Sequence, residues 1–130
     1  MADRRRQRIS SGSPYEKKIG FSRAVRVDDR VLVSGTAPIW PDGSVDPDAA
    51  AQTRRCLEII FGALREAGAG PDDVVRTRVY LSPEADSDAI GAALGEAFGE
   101  IRPASTMIVV NRLLDPRWLV EIEAEAVIGA

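Results

Sequence analysis

Arg102-Pro103-Ala104-Ser105-Thr106-Met107-Ile108-Val109-Val110, followed after a short turn by Val120-Glu121-Ile122-Glu123-Ala124-Glu125-Ala126-Val127, is the stretch that decides the fold. Its second half alternates strictly, sending Val120, Ile122, Ala124 and Ala126 to one side and Glu121, Glu123 and Glu125 to the other. That is the period of a strand with one packed face. A row of acids on a strand is ordinarily a solvated face, and for Glu123 and Glu125 this reading stands evenly beside a functional one. Glu121 carries a separate hypothesis.

Working outward, the pattern predicts Thr106 to Leu113 and Trp118 to Ile128 as the last two strands, joined by Leu114-Asp115-Pro116-Arg117. Upstream, Val74 to Leu81 reads as a strand, with Val75, Thr77, Val79 and Leu81 on one face and Val74, Arg76, Arg78 and Tyr80 on the other. Between them a helix opens near Asp86 or Ser87, turns Ile90, Leu94 and Phe98 inward and closes around Gly99. An earlier helix is predicted from Asp46-Pro47, an N-cap followed by proline at the first helical position. Its buried stripe is Leu57, Ile60, Phe61 and Leu64, and Gly68 ends it. Cys56, beside that stripe, reads as core filler. Pro38, Pro41 and Asp42-Gly43 make the preceding segment a loop, and Trp40 within it is a candidate pocket edge or a lid on the core. Arg23 to Val27 and Val31 to Ser34 form the first two strands, linked by the tight connection Asp28-Asp29-Arg30.

The order strand-strand-helix-strand-helix-strand-strand predicts an α+β domain, one mixed sheet with both helices on one face. The bare face then carries Arg76, Arg78 and Tyr80 against Glu121, Glu123 and Glu125. Solvent exposure accommodates these residues, but complementary signs on one face point to self-association. Trp118 and Tyr80 read first as packing residues, second as walls of a cleft.

At 130 residues and 45% hydrophobic, the chain suits one domain with its own core. No apolar run approaches the roughly 18 residues that span a bilayer, and Met1-Ala2-Asp3-Arg4-Arg5-Arg6 is not followed by the apolar segment of a secretory signal, so a cytoplasmic location is expected. One cysteine gives no disulfide framework, and the absence of histidine removes the usual zinc, Ser-His and Cys-His constellations. Chemistry here falls to carboxylates, hydroxyls, guanidinium groups, backbone amides and water, with no cofactor or metal expected. A net charge of −3 argues against general nucleic-acid affinity. The basic cluster of Arg4, Arg5, Arg6 and Arg8, continued by Lys17 and Lys18 around the linker-like Ser10-Ser11-Gly12-Ser13-Pro14, reads as a flexible tail over residues 1–18 ahead of a single domain over residues 19–130.

The order of elements, Val33-Ser34-Gly35-Thr36 closing a strand, and Arg102-Pro103-Ala104-Ser105-Thr106 with Val120-Glu121-Ile122-Glu123-Ala124 together resemble the RidA/YjgF family of imine and enamine deaminases. The resemblance runs from about Gly20 to Ile128. It implies a chorismate-mutase-like β-β-α-β-α-β-β fold and a homotrimer whose sheets form a barrel, with clefts for a small-molecule ligand between subunits. In deaminating members an arginine holds the carboxylate of a 2-imino acid, while a glutamate orients the water that attacks the imine carbon. A planar guanidinium suits a carboxylate, and a carboxylate near the imine can accept and relay a proton.

Carried over residue by residue, the resemblance implies that Glu121 is the water-orienting glutamate and that Ser34 and Gly35 line the cleft. Phe21 falls where many deaminases have tyrosine, so the aromatic wall stays without its hydroxyl. Ala104 falls on the carboxylate-binding arginine, Thr106 where cysteine or threonine is common, and Ala92 where active members often carry asparagine. Arg102, two residues before Ala104 and on the same side of an extended segment, is one candidate replacement for the lost clamp; Arg23 is another. Ser105 and Thr106 offer backbone amides to developing negative charge. Three functions follow: a RidA-type hydrolase of an imine, enamine or related carbonyl-derived substrate; a trimeric metabolite-binding module without catalysis; and, least supported by this acidic and histidine-free chain, the RNA cleavage with which some relatives are labelled.

Overall fold

The computed structural model describes residues 5–130. It contains strands β1 (Arg6–Ile9), β2 (Ala24–Val27), β3 (Arg30–Thr36), β4 (Val74–Leu81), β5 (Ala104–Val109) and β6 (Val120–Val127), with helices α1 (Ala49–Glu66) and α2 (Ser87–Phe98). The strands form one sheet in the order β1-β2-β3-β6-β4-β5, and only the β4–β5 pair is parallel. This is the expected α+β architecture with one strand more than the sequence reading gave.

That extra strand lies within residues 1–18, the segment read from the sequence as a flexible tail. Arg6 to Ile9 pair antiparallel with β2, and Ile9 is buried in the core. The alternation was hidden because Arg6, Gln7 and Arg8 are all exposed on an edge strand, where charge is the normal defence against further pairing. Met1 to Arg4 of the basic cluster lie outside the described residues.

Both helices cover one face. Val31, Val33, Val79, Leu81, Val120, Ile122, Ala124 and Ala126 project from the strands onto Cys56, Leu57, Ile60 and Leu64 of α1 and Ile90 and Phe98 of α2. Phe61 and Phe98 meet edge to face at 5.8 Å where the helices touch. Helix α1 starts at Ala49 rather than at Pro47, because Asp48 is the residue whose carboxylate accepts from the Ala51 N–H at 2.9 Å. Asp46 instead closes a turn on the Asp48 N–H. Gly68, with φ of +87°, ends α1 as expected. Gln52, wholly buried, bonds to the carbonyls of Asp46 and Arg117 and to the N–H of Leu119, tying α1 to the approach of β6.

Two further expectations change. In β4 the register shifts between Val74 and Arg76, so Val74 turns into the core and Val75 faces out, opposite to strict alternation. Strand β5 begins at Ala104 and ends at Val109, and it does not neighbour β6: β4 lies between them. Parallel pairing of β4 and β5 requires the α2 crossover, which carries β5 to the sheet edge.

Candidate functional site

The bare face of the sheet holds its charges in register. Arg76, Arg78 and Tyr80 stand opposite Glu125, Glu123 and Glu121. Arg78 reaches Glu123 at 3.7 Å and Glu125 at 3.4 Å, and the Tyr80 hydroxyl donates to Glu123. That bond holds the Tyr80 phenol above its ordinary range, with burial adding to the rise. Glu123 and Glu125 are therefore committed to neighbours.

Glu121 is different. Between Val33 and Thr36 the β3–β6 register shifts, leaving Ser34 and Gly35 opposite Glu123 alone. This bulge brings Gly35 under the Glu121 side chain, whose Oε2 lies 2.5 Å from the point where a β-carbon at residue 35 would stand. Burial pushes the Glu121 carboxyl above the usual range; Arg23 pulls it back and Glu123 adds to the rise. A half-buried carboxylate with a raised pKa is suited to accepting and returning a proton.

Arg23 fixes the other side of the bulge. Its Nη2 donates to the Gly35 carbonyl at 2.5 Å, and its backbone carbonyl accepts from the Ser34 N–H at 3.0 Å. The Ser34 hydroxyl donates to the Ser22 carbonyl at 2.6 Å. Burial pulls the Arg23 pKa down, opposed by Glu16 and Glu121. Glu16, missed by the sequence reading, is buried in a single π-type turn over Glu16–Gly20 and accepts from the N–H and hydroxyl of Ser11. Burial alone would raise its pKa, but the Ser11 bonds hold it below the ordinary value. The only signal for it was the run of hydroxyl residues just upstream, which composition alone marks as linker. Phe21 closes the π-type turn in an extended conformation and is partly exposed.

The structure thus brings Glu121, Gly35, Ser34 and Arg23 together, but not the residues of β5. Ala104, Ser105 and Thr106 stand beside Arg76, Thr77 and Arg78, whereas the strand position abreast of Glu121 is Ile108. By strand rise and spacing, Ala104 lies about 16 Å from Glu121 within one chain. Ser105 accepts a hydrogen bond from the Thr77 hydroxyl at 2.9 Å. Arg102 is not extended: with φ of +53° it occupies the left-handed region, and its N–H bonds to the Phe98 carbonyl at 2.8 Å, finishing α2. The alternation that would have put it on the side of Ala104 does not apply.

Two cavities of about 380 Å³ each lie elsewhere. One separates the helices beside Leu57, Phe61 and Ala97; the other lies against Trp40, whose ring stacks on the Arg55 guanidinium at 4.0 Å. Among the described residues, no cluster of three or more Cys, Asp or Glu side chains is placed to hold a metal, and no helix is long and apolar enough to cross a membrane.

Residues 13–128 match the sequence profile of the family described as endoribonuclease L-PSP. The chain is 42% identical over 127 residues to an uncharacterized protein of Streptomyces coelicolor, covering 95% of this chain and 93% of that one. It is 39% identical over 105 residues to the 3-aminoacrylate deaminase RutC of Acinetobacter baylyi, covering 79% and 82%. A crystal structure of a Mycobacterium tuberculosis member of the YjgF/YER057c/UK114 family superposes with a TM-score of 0.86 at 44% identity, covering 95% of this chain and 99% of that one. The chain belongs to the RidA/YjgF family.

Proposed function

We propose that this protein is a RidA-type hydrolase acting on the C=N bond of a small imine, enamine tautomer or related carbonyl-derived substrate, with Glu121 as the proton-transferring group. The observation that carries the reading is the half-buried Glu121 carboxylate seated over Gly35 with its pKa raised. The carboxylate takes a proton from water as the water oxygen bonds to the imine carbon. It passes that proton to nitrogen, giving a carbinolamine, and then relays the second proton from the carbinolamine hydroxyl to nitrogen as the C–N bond breaks with its electron pair on nitrogen. Ammonia leaves and a carbonyl remains. The deaminase named among the relatives supports a reaction of this class.

The site is completed in a homotrimer working in the cytoplasm. Ser105 and Thr106 of one copy lie too far from Glu121 of the same copy, so they and Ala104 line the cleft only from a neighbouring chain. Phe21, Ser34 and Gly35 form the wall on the Glu121 side, and Arg102, just ahead of β5, is a candidate cation on the side of the neighbouring copy. The test is ammonia release from imines generated in solution, acidic and neutral, with and without protein. Equal rates throughout would overturn the reading.

A second reading is a trimeric binding module that keeps the cleft without catalysis. It is favoured by alanine at position 104, which leaves that position without a guanidinium for a substrate carboxylate. Calorimetric screening against small keto acids and amides tests it, and saturable binding without ammonia release is its expected signature.

A further inference from the structure

Arg23 lies between two carboxylates without being ion-paired to either. Its Nη2 is engaged by the Gly35 carbonyl, and its Nε is buried with no partner. The Nε–Nη2 edge is one of the two edges with which a guanidinium grips a carboxylate bidentately, and here it is closed to a ligand. At the same time its main chain holds Ser34 and its side chain holds Gly35, the two residues of the bulge on which the Glu121 carboxylate rests.

We propose that Arg23 is a positioning residue, which holds the Ser34–Gly35 bulge beneath Glu121, rather than the handle for a substrate carboxylate. Glu16, anchored by Ser11 in the π-type turn, acts on the same guanidinium and opposes the downward pull of burial on its pKa. The other titratable groups facing Glu121 are Glu123 on its own strand, Tyr80 on β4 and the buried thiol of Cys56 on α1. Tyr80 is occupied by Glu123, and burial raises the Cys56 pKa so that it stays a neutral thiol. Arg23 is thus the one cation among the described groups acting on Glu121.

The role rests on the function proposed for Glu121, yet its first readout needs no substrate. In the full chain, carbon-13 NMR titration follows the Glu121 carboxyl, assigned by its loss in Glu121→Gln, in wild type, Arg23→Met and Arg23→Lys. Hydrogen exchange reports the Ser34 amide, whose acceptor is the Arg23 carbonyl, and the Gly35 amide beside it. Arg23→Met is expected to move the Glu121 midpoint upward and to speed exchange at the bulge, while Arg23→Lys restores the midpoint but not the exchange protection. An unchanged midpoint and unchanged exchange in Arg23→Met would overturn the proposal. If Arg23→Met fails to fold, Arg23→Lys decides: unaltered bulge exchange in that variant overturns it.

A kinetic arm separates the two roles. A positioning residue lowers kcat for neutral and carboxylate-bearing imines alike. A rise in KM confined to carboxylate-bearing imines would make Arg23 a ligand and overturn the proposal. Absence of any imine hydrolysis would remove the function proposed for Glu121 while the titration and exchange results still stand.

Discussion

Gly35 and Glu121 occupy one space: the Glu121 Oε2 sits 2.5 Å from where a β-carbon on residue 35 would be. The backbone of Gly35 is not in the left-handed region, so alanine suits the chain there and only the carboxylate must move. Gly35→Ala is therefore expected to fold with a stability change of under about 1 kcal/mol, since the displaced atom ends a flexible side chain. Its imine hydrolysis falls by roughly 10² because the carboxylate is misplaced by the order of an ångström. Thermal melts and initial rates on the same sample check both halves.

The raised pKa of Glu121 fixes the sign of two pH effects. As a base the carboxylate must be ionised, so the hydrolysis rate falls as pH drops through a midpoint above the ordinary glutamate value. For stability, the folded state binds this proton more tightly than the unfolded chain does. The contribution of Glu121 is thus lost as pH rises from the ordinary value through the raised one, and the penalty is complete above it. Glu121→Gln is expected to melt higher than wild type at neutral pH and to lose that advantage under acid. Melting curves across the acidic and neutral range test the crossover.

Gln52 supplies a stability test away from the site. Gln52→Leu leaves the Leu119 N–H and the carbonyls of Asp46 and Arg117 without their buried partner. The expected cost is about 2 to 4 kcal/mol, from the desolvation of unpaired groups. Urea denaturation measures it.

At Gly68 the left-handed backbone and a close contact act together, since an added β-carbon would stand 2.8 Å from the Arg26 Nη1. That nitrogen donates to the Ala67 carbonyl at 2.7 Å and satisfies the end of α1. Gly68→Ala is expected to destabilise by about 1 to 2 kcal/mol, and by less once Arg26 is shortened in Arg26→Ala. A double-mutant cycle by denaturation gives the coupling.

Strand β5 is exposed along its whole length, with Met107, Ile108 and Val109 among its side chains. Such an apolar edge requires cover. Light scattering is expected to give a trimer for wild type and smaller species for Ile108→Arg, with hydrolysis lost in parallel.

Much of this was legible in the sequence. The helices and β6 follow from period and capping residues, and period puts Arg76, Arg78 and Tyr80 on one face with Glu121, Glu123 and Glu125. What the sequence hid are features set by partners distant in the chain. Strand β1 has no alternation to read because its exposed residues Arg6, Gln7 and Arg8 are all polar, and Val75 breaks the period because a bulge adds a residue. Arg102 looked extended but takes a left-handed backbone to end α2. Glu16 reads from the sequence as part of the tail over residues 1–18, and only its bonds to Ser11 and its place near Arg23 mark it out. The resemblance singles out Glu121, Ser34 and Gly35, whereas the bulge that brings them together has no signal in the sequence.

The central claim, that Glu121 moves the proton in hydrolysis of a C=N bond, is tested most directly by the ammonia release rate of wild type against Glu121→Gln. Both are measured on the same in-situ-generated imine, with folding verified by circular dichroism. The wild-type rate is expected well above the protein-free blank, with a loss of roughly 10² to 10⁴ in the variant, the range of a general acid–base group. A folded Glu121→Gln protein that hydrolyses the imine as fast as wild type would contradict it.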